Sequence, residues 1–501
     1  MTTKYILNSN IYLRSYADHP RCVYNASNGE YYDVSREEFN RLLACDGKSE
    51  AQKDEVYSKL VSSGLIRQAA FGEELLPAQR FKYCANIRFK MLVLEITERC
   101  NFNCRHCFNA EGVKVPRAEL TLDEIRRILD EAFECGVNNV VLTGGEPMLH
   151  TSFTDIVHYI ADKGMRLAEI NTNGSLITSE ILELLVRLGL KPLMKISFDG
   201  IGFHNWMRGM DSPLLGFSAE ENALSAMRLC IQYGLKVFVQ MNLNKRNLGC
   251  MIGSIDMLDE MGVMHTRIIR TSEAPRWLEN ASDALLSWNE YFDAGLEIAK
   301  HYLSRERKMS LKLWQFLFVH SKKKLLYAEK CAANSSMPLD DQWLCGGRLD
   351  ICASGDLYPC MQMTGWMKAN GITLGNIKET PLEKLLSDSP YLSFVTCTKG
   401  DKARNSAACG NCPFVKYCGG GCPAISVLMN GSYYGRDDSS CIFFREGYYA
   451  KLKALAPAGF TVYPQMDESL DTAYLKHIAL KRRSEKRERV SDYRTLLAPT
   501  E

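Results

Sequence analysis

Between residues 91 and 269, short apolar runs alternate with longer stretches in which apolar residues recur every three or four positions. The runs at 91–96, 139–142, 168–170, 193–198, 236–241 and 265–269 have the length and composition of strands. The stretches between them have a helical period. The first opens on Thr121-Leu122-Asp123-Glu124, a capping box in which the Thr hydroxyl and the Glu side chain satisfy each other's orphan amides, and continues with Ile125, Ile128, Leu129, Ala132 and Phe133. Further helices are expected over 153–163, 179–188, 219–233 and 251–261. Six strands alternating with helices predict parallel βαβ units with right-handed crossovers, an α/β fold whose reactive groups gather at the carboxyl ends of the strands.

Ahead of this region, residues 11–14 and 23–32 read as strands. Residues 35–45 read as a helix capped by Ser35 with Glu38 at the capping-box position, 53–62 as a second helix, and Gly64-Leu65-Ile66 as the start of a closing segment. Behind it, 311–344 reads as a helical linker that includes Lys322-Lys323-Lys324, and 443–455 as a helix. The basic segment 481–489 mixes charges as a solvated helix or a disordered tail does.

The chemistry is concentrated in cysteines. Cys100, Cys104 and Cys107 sit in Glu98-Arg99-Cys100-Asn101-Phe102-Asn103-Cys104-Arg105-His106-Cys107, directly after the first strand. Three thiolates on one loop can hold three irons of a cubane cluster and leave the fourth iron open. The other reading of this loop alone is a Cys3His zinc site that includes His106, since structural zinc sites close with four ligands. Thr143-Gly144-Gly145-Glu146-Pro147 follows the second strand, where glycines let backbone approach a ligand and a carboxylate can pair an ammonium. A second group comprises Cys345, Cys360, Cys409, Cys412, Cys418, Cys422 and Cys441. Cys22, Cys45, Cys84, Cys135, Cys230 and Cys250 show no ligand spacing and read as core residues.

The three-cysteine loop, followed in order by Gly144-Gly145-Glu146-Pro147, resembles the radical S-adenosylmethionine (radical SAM) enzymes. The resemblance implies a partial (β/α)6 barrel over 86–310 with a SAM-binding 4Fe–4S cluster on Cys100, Cys104 and Cys107. It assigns SAM contacts to Gly144, Gly145, Glu146, Pro147, Asn173, Ser197 and Arg208, with Ser197 near the ribose and Arg208 near the cofactor carboxylate. Asn173 and Asp199 also fit plain turn chemistry, in Asn-Gly and Asp-Gly pairs.

The seven later cysteines resemble a SPASM domain over 345–455, which carries two auxiliary 4Fe–4S clusters. Carried over residue by residue, Cys409, Cys412, Cys418 and Cys441 complete the distal cluster, while Cys345, Cys360 and Cys422 give three ligands to the proximal one. Its fourth ligand is Cys331, Cys352, Cys397 or none, and a pair of zinc ribbons is the alternative for this region. Residues 1–85 resemble the winged-helix-like RiPP recognition element found ahead of peptide-modifying radical SAM enzymes, the alternative being a docking or dimerisation appendage. Residues 456–501 are a tail with no assigned role.

At 501 residues the chain has room for about three domains. Its net charge of +2 excludes a strong polyanion-binding field, so no nucleic-acid partner is expected. No apolar stretch is long enough to span a bilayer, and residues 1–20, with Arg14, Asp18 and His19, do not read as a secretory signal; the expected location is the cytoplasm, without membrane attachment. Nineteen cysteines in such a chain point to metal ligation rather than disulfides. The expected activity is oxidative cross-linking, carbon–carbon or thioether, of a ribosomal precursor peptide bound through its leader, with a flavodoxin or ferredoxin as electron donor. Sulfatase-maturase-like oxidation of a Cys or Ser, and a non-catalytic cluster-binding protein, are the rivals. No residue is singled out as the general base.

Overall fold

The computed structural model describes residues 2–107, 117–210, 217–329, 338–344 and 347–466. Six strands, Met91–Thr97, Asn139–Gly144, Arg166–Thr172, Leu193–Ser197, Val237–Leu243 and His265–Arg270, lie side by side in chain order, all parallel. The connecting helices are Leu122–Glu134, Phe153–Asp162, Ser179–Arg187, Ala219–Gln232 and Met251–Met261. The Thr121–Glu124 capping box forms as the sequence predicts. Ile125, Ile128, Leu129 and Ala132 of that helix are buried in one core with Leu92, Leu94 and Ile96 of the first strand. Alternate strand positions face the barrel interior, where Lys195 Nζ lies 3.0 Å from Glu169 Oε1. Burial pushes the Lys195 pKa down to about 8, with Arg267 adding to the effect.

The sheet continues past the barrel on both sides. After the helix Trp288–Leu303, Ser310–Leu313 pairs parallel with the sixth strand, and Leu317–His320 and Leu325–Ala328 follow antiparallel. This corrects the helical linker expected over 311–344. Leu311, Leu313, Leu317, Val319, Leu326 and Ala328 are the buried positions, a period of two that only strands can bury on one face. Thr461–Tyr463 pairs with Leu325–Ala328, so the start of the expected tail belongs to the sheet; residues 467–501, with the basic segment, lie outside the described residues. On the other side, Arg348–Ile351 pairs parallel with Met91–Thr97, and Leu357–Tyr358 turns back on it. The helix expected over 443–455 is two, Asp438–Arg445 and Tyr448–Ala454, because Gly447 adopts a left-handed φ of 72° between them.

The first 85 residues form two small sheets and two helices. Thr2–Leu7 is the centre of a three-stranded antiparallel sheet with Asp46–Gln52 and Ile66–Gln68. Ile11–Ser15, Cys22–Asn25, Glu30–Asp33 and Lys82–Tyr83 form the second sheet. The expected strand over 23–32 is thus a hairpin, turned by the Asn25 and Asn28 side chains, which accept from the Ser27 and Glu30 amides. The helices Arg36–Leu43 and Glu55–Ser62 start at Ser35 and Asp54, and the Ser35–Glu38 capping box is reciprocal. Tyr5, Leu7, Ile11, Leu13, Phe39, Leu42, Tyr57 and Leu60 close a core of their own.

This unit docks on the barrel through polar side chains. Tyr16 Oη donates to the Gly136 carbonyl at 2.7 Å, Tyr24 Oη to Asn139 Oδ1 at 2.8 Å and Tyr12 Oη to the Gly164 carbonyl at 3.1 Å. All three partners stand at the amino-terminal starts of the second and third barrel strands. No helix among the described residues is long and apolar enough to cross a membrane.

Candidate active site and cluster sites

The loop with Cys100, Cys104 and Cys107 leaves the first strand at the carboxyl end of the barrel, and two pairs of residues hold it there. On one side, Gly145 N donates to the Thr97 carbonyl and Glu146 N to the Arg99 carbonyl, each at 2.8 Å. A Cβ on Gly144 would stand 2.4 Å from the Thr97 oxygen, and one on Gly145 would stand 2.3 Å from the Arg99 oxygen. The two glycines therefore admit the backbone of the cysteine loop itself. On the other side, Arg105 N donates to the Met207 carbonyl at 2.9 Å, and a Cβ on Gly209 would stand 2.3 Å from the Asn103 oxygen.

Glu146 is fully buried and points toward the end of the third strand. Its carboxylate accepts from Thr172 Oγ1 at 2.9 and 3.0 Å and from Asn173 N at 2.8 Å. Burial raises its pKa to about 7 against these hydrogen bonds. Asn173 in turn donates through Nδ2 to Asn101 Oδ1 at 2.8 Å, tying the third strand to the cysteine loop. Pro147 occupies the first position of the turn Pro147–Leu149, and Ser197 is a partly exposed residue closing the fourth strand.

Arg208 is buried beside the loop, with Nη2 2.8 Å from Asp199 Oδ2 and Nη1 3.7 Å from Cys104 Sγ. Burial alone would raise the Asp199 pKa, but Arg208 and His204 hold it far below the usual carboxylate range. Asn242 donates from its backbone to Asp199 Oδ1 at 2.8 Å and from Nδ2 to His106 Nε2 at 3.1 Å. Burial lowers the His106 pKa to about 4, which keeps the ring neutral. Asn247 Nδ2 donates to the Asp199 carbonyl at 2.9 Å. The sequence reading missed Asn242 and Asn247; their signal was the polar run Asn242-Leu-Asn244-Lys-Arg-Asn247 at the carboxyl end of the fifth strand.

Cys409, Cys412, Cys418 and Cys441 line one cavity with Phe414, Phe444 and the flanking backbone. The short helices Ala407–Gly410 and Val415–Cys418 carry Cys409 and Cys418, with Cys412 in the link between them, and Gly419, Gly420 and Gly421 then run in left-handed conformation with φ of 63°, 82° and 77°. That reversal brings Cys422 N within 2.8 Å of Asp437 Oδ2, and Asp437 caps the helix that carries Cys441. Burial raises the Cys441 thiol pKa, and Cys418 adds to it. The Cys360 thiol is pushed up to about 12 by burial, with Asp350 and Cys422 adding to the effect.

Cys345 and Cys331 lie outside the described residues. Cys397 Sγ is engaged by the Ser393 carbonyl at 3.0 Å and Tyr434 Oη at 3.2 Å, and Cys352 is buried beside Glu95 and Lys368. Cys22, Cys45, Cys84, Cys135 and Cys230 are buried, and Cys250 is partly so. Among the described residues no three His, Cys, Asp or Glu side chains close tightly enough on one point for a single ion. A cubane carries its ligand sulfurs on separate irons, so four thiols spread around a cavity fit a cluster.

Residues 94–257 match the Radical SAM superfamily, and residues 345–413 match SPASM, an iron-sulfur cluster-binding domain. The chain is 26% identical to an AdoMet-dependent heme synthase of Methanosarcina barkeri over 71% of its own length and 96% of the relative's. It is 23% identical to the antilisterial bacteriocin subtilosin biosynthesis protein AlbA of Bacillus subtilis over 65% of each chain. Its fold is similar to that of Streptococcus suis SuiB, solved with the precursor peptide SuiA, at a TM-score of 0.63 and 17% identity over 88% of this chain and all of that one.

Proposed function

We propose that this chain, which carries a radical SAM domain followed by a SPASM domain, is an enzyme that cross-links a ribosomally made precursor peptide, forming a carbon–carbon or thioether bond with loss of two hydrogens. Cys100, Cys104 and Cys107 would hold the SAM-binding cluster; Cys409, Cys412, Cys418 and Cys441 the distal auxiliary cluster; and Cys345, Cys360 and Cys422 the proximal one. Bound there, the first cluster and SAM would supply abstraction of one hydrogen atom from an unactivated carbon of the peptide, and the auxiliary clusters would take up the electron that leaves, with a proton, as the cross-link closes.

The chain's own part is positioning. The clamp from Gly144-Gly145 on one side and Arg208-Gly209 on the other fixes the thiols at the barrel mouth. In this reading Ser197 would meet the ribose of SAM, Arg208 its carboxylate and Glu146 its amino group, with Asn173 beside them, and the hydrogen bonds of Glu146 to Thr172 and of Asn173 to Asn101 hold the strand ends that frame the site. A flavodoxin or ferredoxin would deliver the electron.

The observation that carries the peptide reading is the N-terminal unit, whose strand Asp46–Gln52 pairs with Thr2–Leu7 on one side and forms the border of its sheet on the other. Such an edge accepts an extended leader by strand addition, and tethering raises the effective concentration of the core peptide. The likenesses to AlbA and to the fold of SuiB support it. A second reading, a step of heme synthesis, is favoured by the heme synthase relative.

Anaerobic co-expression with a candidate precursor peptide separates the two. The expected result is a peptide lighter by two hydrogens per cross-link, absent with Cys107→Ala. Deleting residues 1–80 should weaken peptide binding while leaving SAM cleavage intact. Unaltered peptides combined with turnover of an iron porphyrin precursor would sink the peptide reading, and SAM cleavage by Cys107→Ala would sink the cluster assignment.

A further inference from the structure

The inner face of the barrel carries charge. Ser197, Gln240, Arg267 and Lys312 stand in register across four neighbouring strands. Their chain neighbours Ile196, Val239, Ile268 and Leu311 are buried in the outer core, so strand alternation turns the four toward the interior, where each is partly exposed. Three carboxylates around this face already have cations of their own. Lys195 Nζ is 3.0 Å from Glu169 Oε1, Lys312 Nζ 2.5 Å from Glu329 Oε1 and Arg348 Nη2 2.8 Å from Asp350 Oδ1.

Arg267 is left over. Among the described residues it makes no ion pair: Nη2 donates to the neutral Gln240 Oε1, Nε is buried with no hydrogen-bond partner, and nothing accepts from Nη1. Its guanidinium lies over the Phe238 ring, 5.4 Å from the centroid, and Lys195 Nζ lies over the same ring at 5.2 Å. Burial lowers the Arg267 pKa; Glu169 and Glu329 oppose that, but each is bound to a lysine. A guanidinium taken from water with no anion of its own is destabilising, and a site that keeps one is built for an anion that arrives with a ligand.

We propose that Arg267 binds a carboxylate of the substrate, carried on a short apolar stem that lies against Phe238. One carboxylate matches the single unpaired guanidinium, whereas a phosphate dianion would exceed it. Arg267 is two strands from Ser197 in the same register, about 10 Å for strands about 4.8 Å apart; the inference rests on the reading that Ser197 meets the cofactor at the barrel mouth. Two substrates offer such a group, the Asp or Glu side chain of a precursor peptide and the carboxylate side chain of an iron porphyrin precursor.

The test compares the full, reconstituted chain with Arg267→Met and Arg267→Lys, using a precursor peptide that the parent modifies and the same peptide with each Asp or Glu of its core changed to Asn or Gln. Arg267→Met should lower kcat/KM by about 10- to 100-fold, mostly through KM, and Arg267→Lys by less. One amide peptide should lose the same factor with the parent and nothing further with Arg267→Met, because both changes remove one interaction. Where the parent turns over an iron porphyrin precursor instead, the peptide reading fails, and the same coupling is sought between Arg267→Met and esterification of the porphyrin carboxylates. Additive losses, or none, with the substrate that is turned over overturn the proposal. Urea unfolding of the apoprotein needs no substrate. Arg267→Met should keep or raise the midpoint, since it removes an unpaired buried charge; a lowered midpoint makes Arg267 a structural residue and overturns the proposal.

Discussion

Gly145→Ala adds a single methyl at the place where the second strand meets the cysteine loop. Its Cβ would stand 2.3 Å from the Arg99 oxygen, 2.6 Å from the Arg99 carbon and 2.7 Å from the Glu98 oxygen, where ordinary contact begins at 3.4 Å. All three atoms are backbone, so no side chain can rotate away and the loop itself must retreat by roughly 1 Å, at a cost of about 1–3 kcal/mol. The retreat stretches the 2.8 Å bonds from Gly145 N and Glu146 N and carries the thiols with it. A misplacement of that size at a reacting centre costs about 100-fold in rate. We expect 5′-deoxyadenosine formation, measured by chromatography with a chemical reductant, to fall by about that factor. Gly253→Ala is the control: it lies inside the helix Met251–Met261 with nothing within 4 Å, and should leave turnover unchanged while adding about 0.5–1 kcal/mol of stability. Activity of Gly145→Ala within about threefold of the parent, under 1 kcal/mol of barrier, would refute the account of the glycines as a clamp on the loop.

Asp199→Ala strips the buried Arg208 of its ion-pair partner 2.8 Å away and should cost about 3–5 kcal/mol in denaturant unfolding, with part recovered in the double variant Asp199→Ala/Arg208→Met; a loss below about 1 kcal/mol contradicts the burial argument. Glu146 holds its proton up to about pH 7 in the folded chain. The native state therefore binds more protons than the unfolded one between about pH 4.5 and 7, and stability from this group falls by about 3 kcal/mol as pH rises through that window. Glu146→Gln should flatten that slope in apoprotein unfolding measured at several pH values, and an unchanged slope argues against the shift. Because the N-terminal unit docks at the amino ends of strands about 20 Å long, a leader bound there needs about seven extended residues to reach the barrel mouth; processing of precursor peptides with shorter spacers, followed by mass, would contradict this route.

The barrel was legible in the sequence because each of its six strands and five helices carries its own periodicity, and the Thr121 and Ser35 capping boxes are local chemistry within four residues. The cysteine spacings were equally local. What failed was whatever depends on a distant partner. Residues 311–328 fall in the expected helical linker, yet their period-two burial makes them strands that extend the sheet outward from the sixth barrel strand. Asp46–Gln52 carries no large apolar side chain and becomes a strand only through its register with Thr2–Leu7.

In the site, the position of Gly144-Gly145 reads as an approach for a ligand, and only the folded chain shows that the Thr97 and Arg99 carbonyls also close on these two glycines. Asp199, Arg208, Asn242 and His106 come from four separate elements, and their network exists only once those strand ends converge. Sequence by itself determined the elements and the reactive groups, since hydrophobic period and ligand spacing act over a few residues. Tertiary structure decided which backbone each glycine admits and which charge each buried group faces, since close approach and desolvation are properties of residues far apart in the chain.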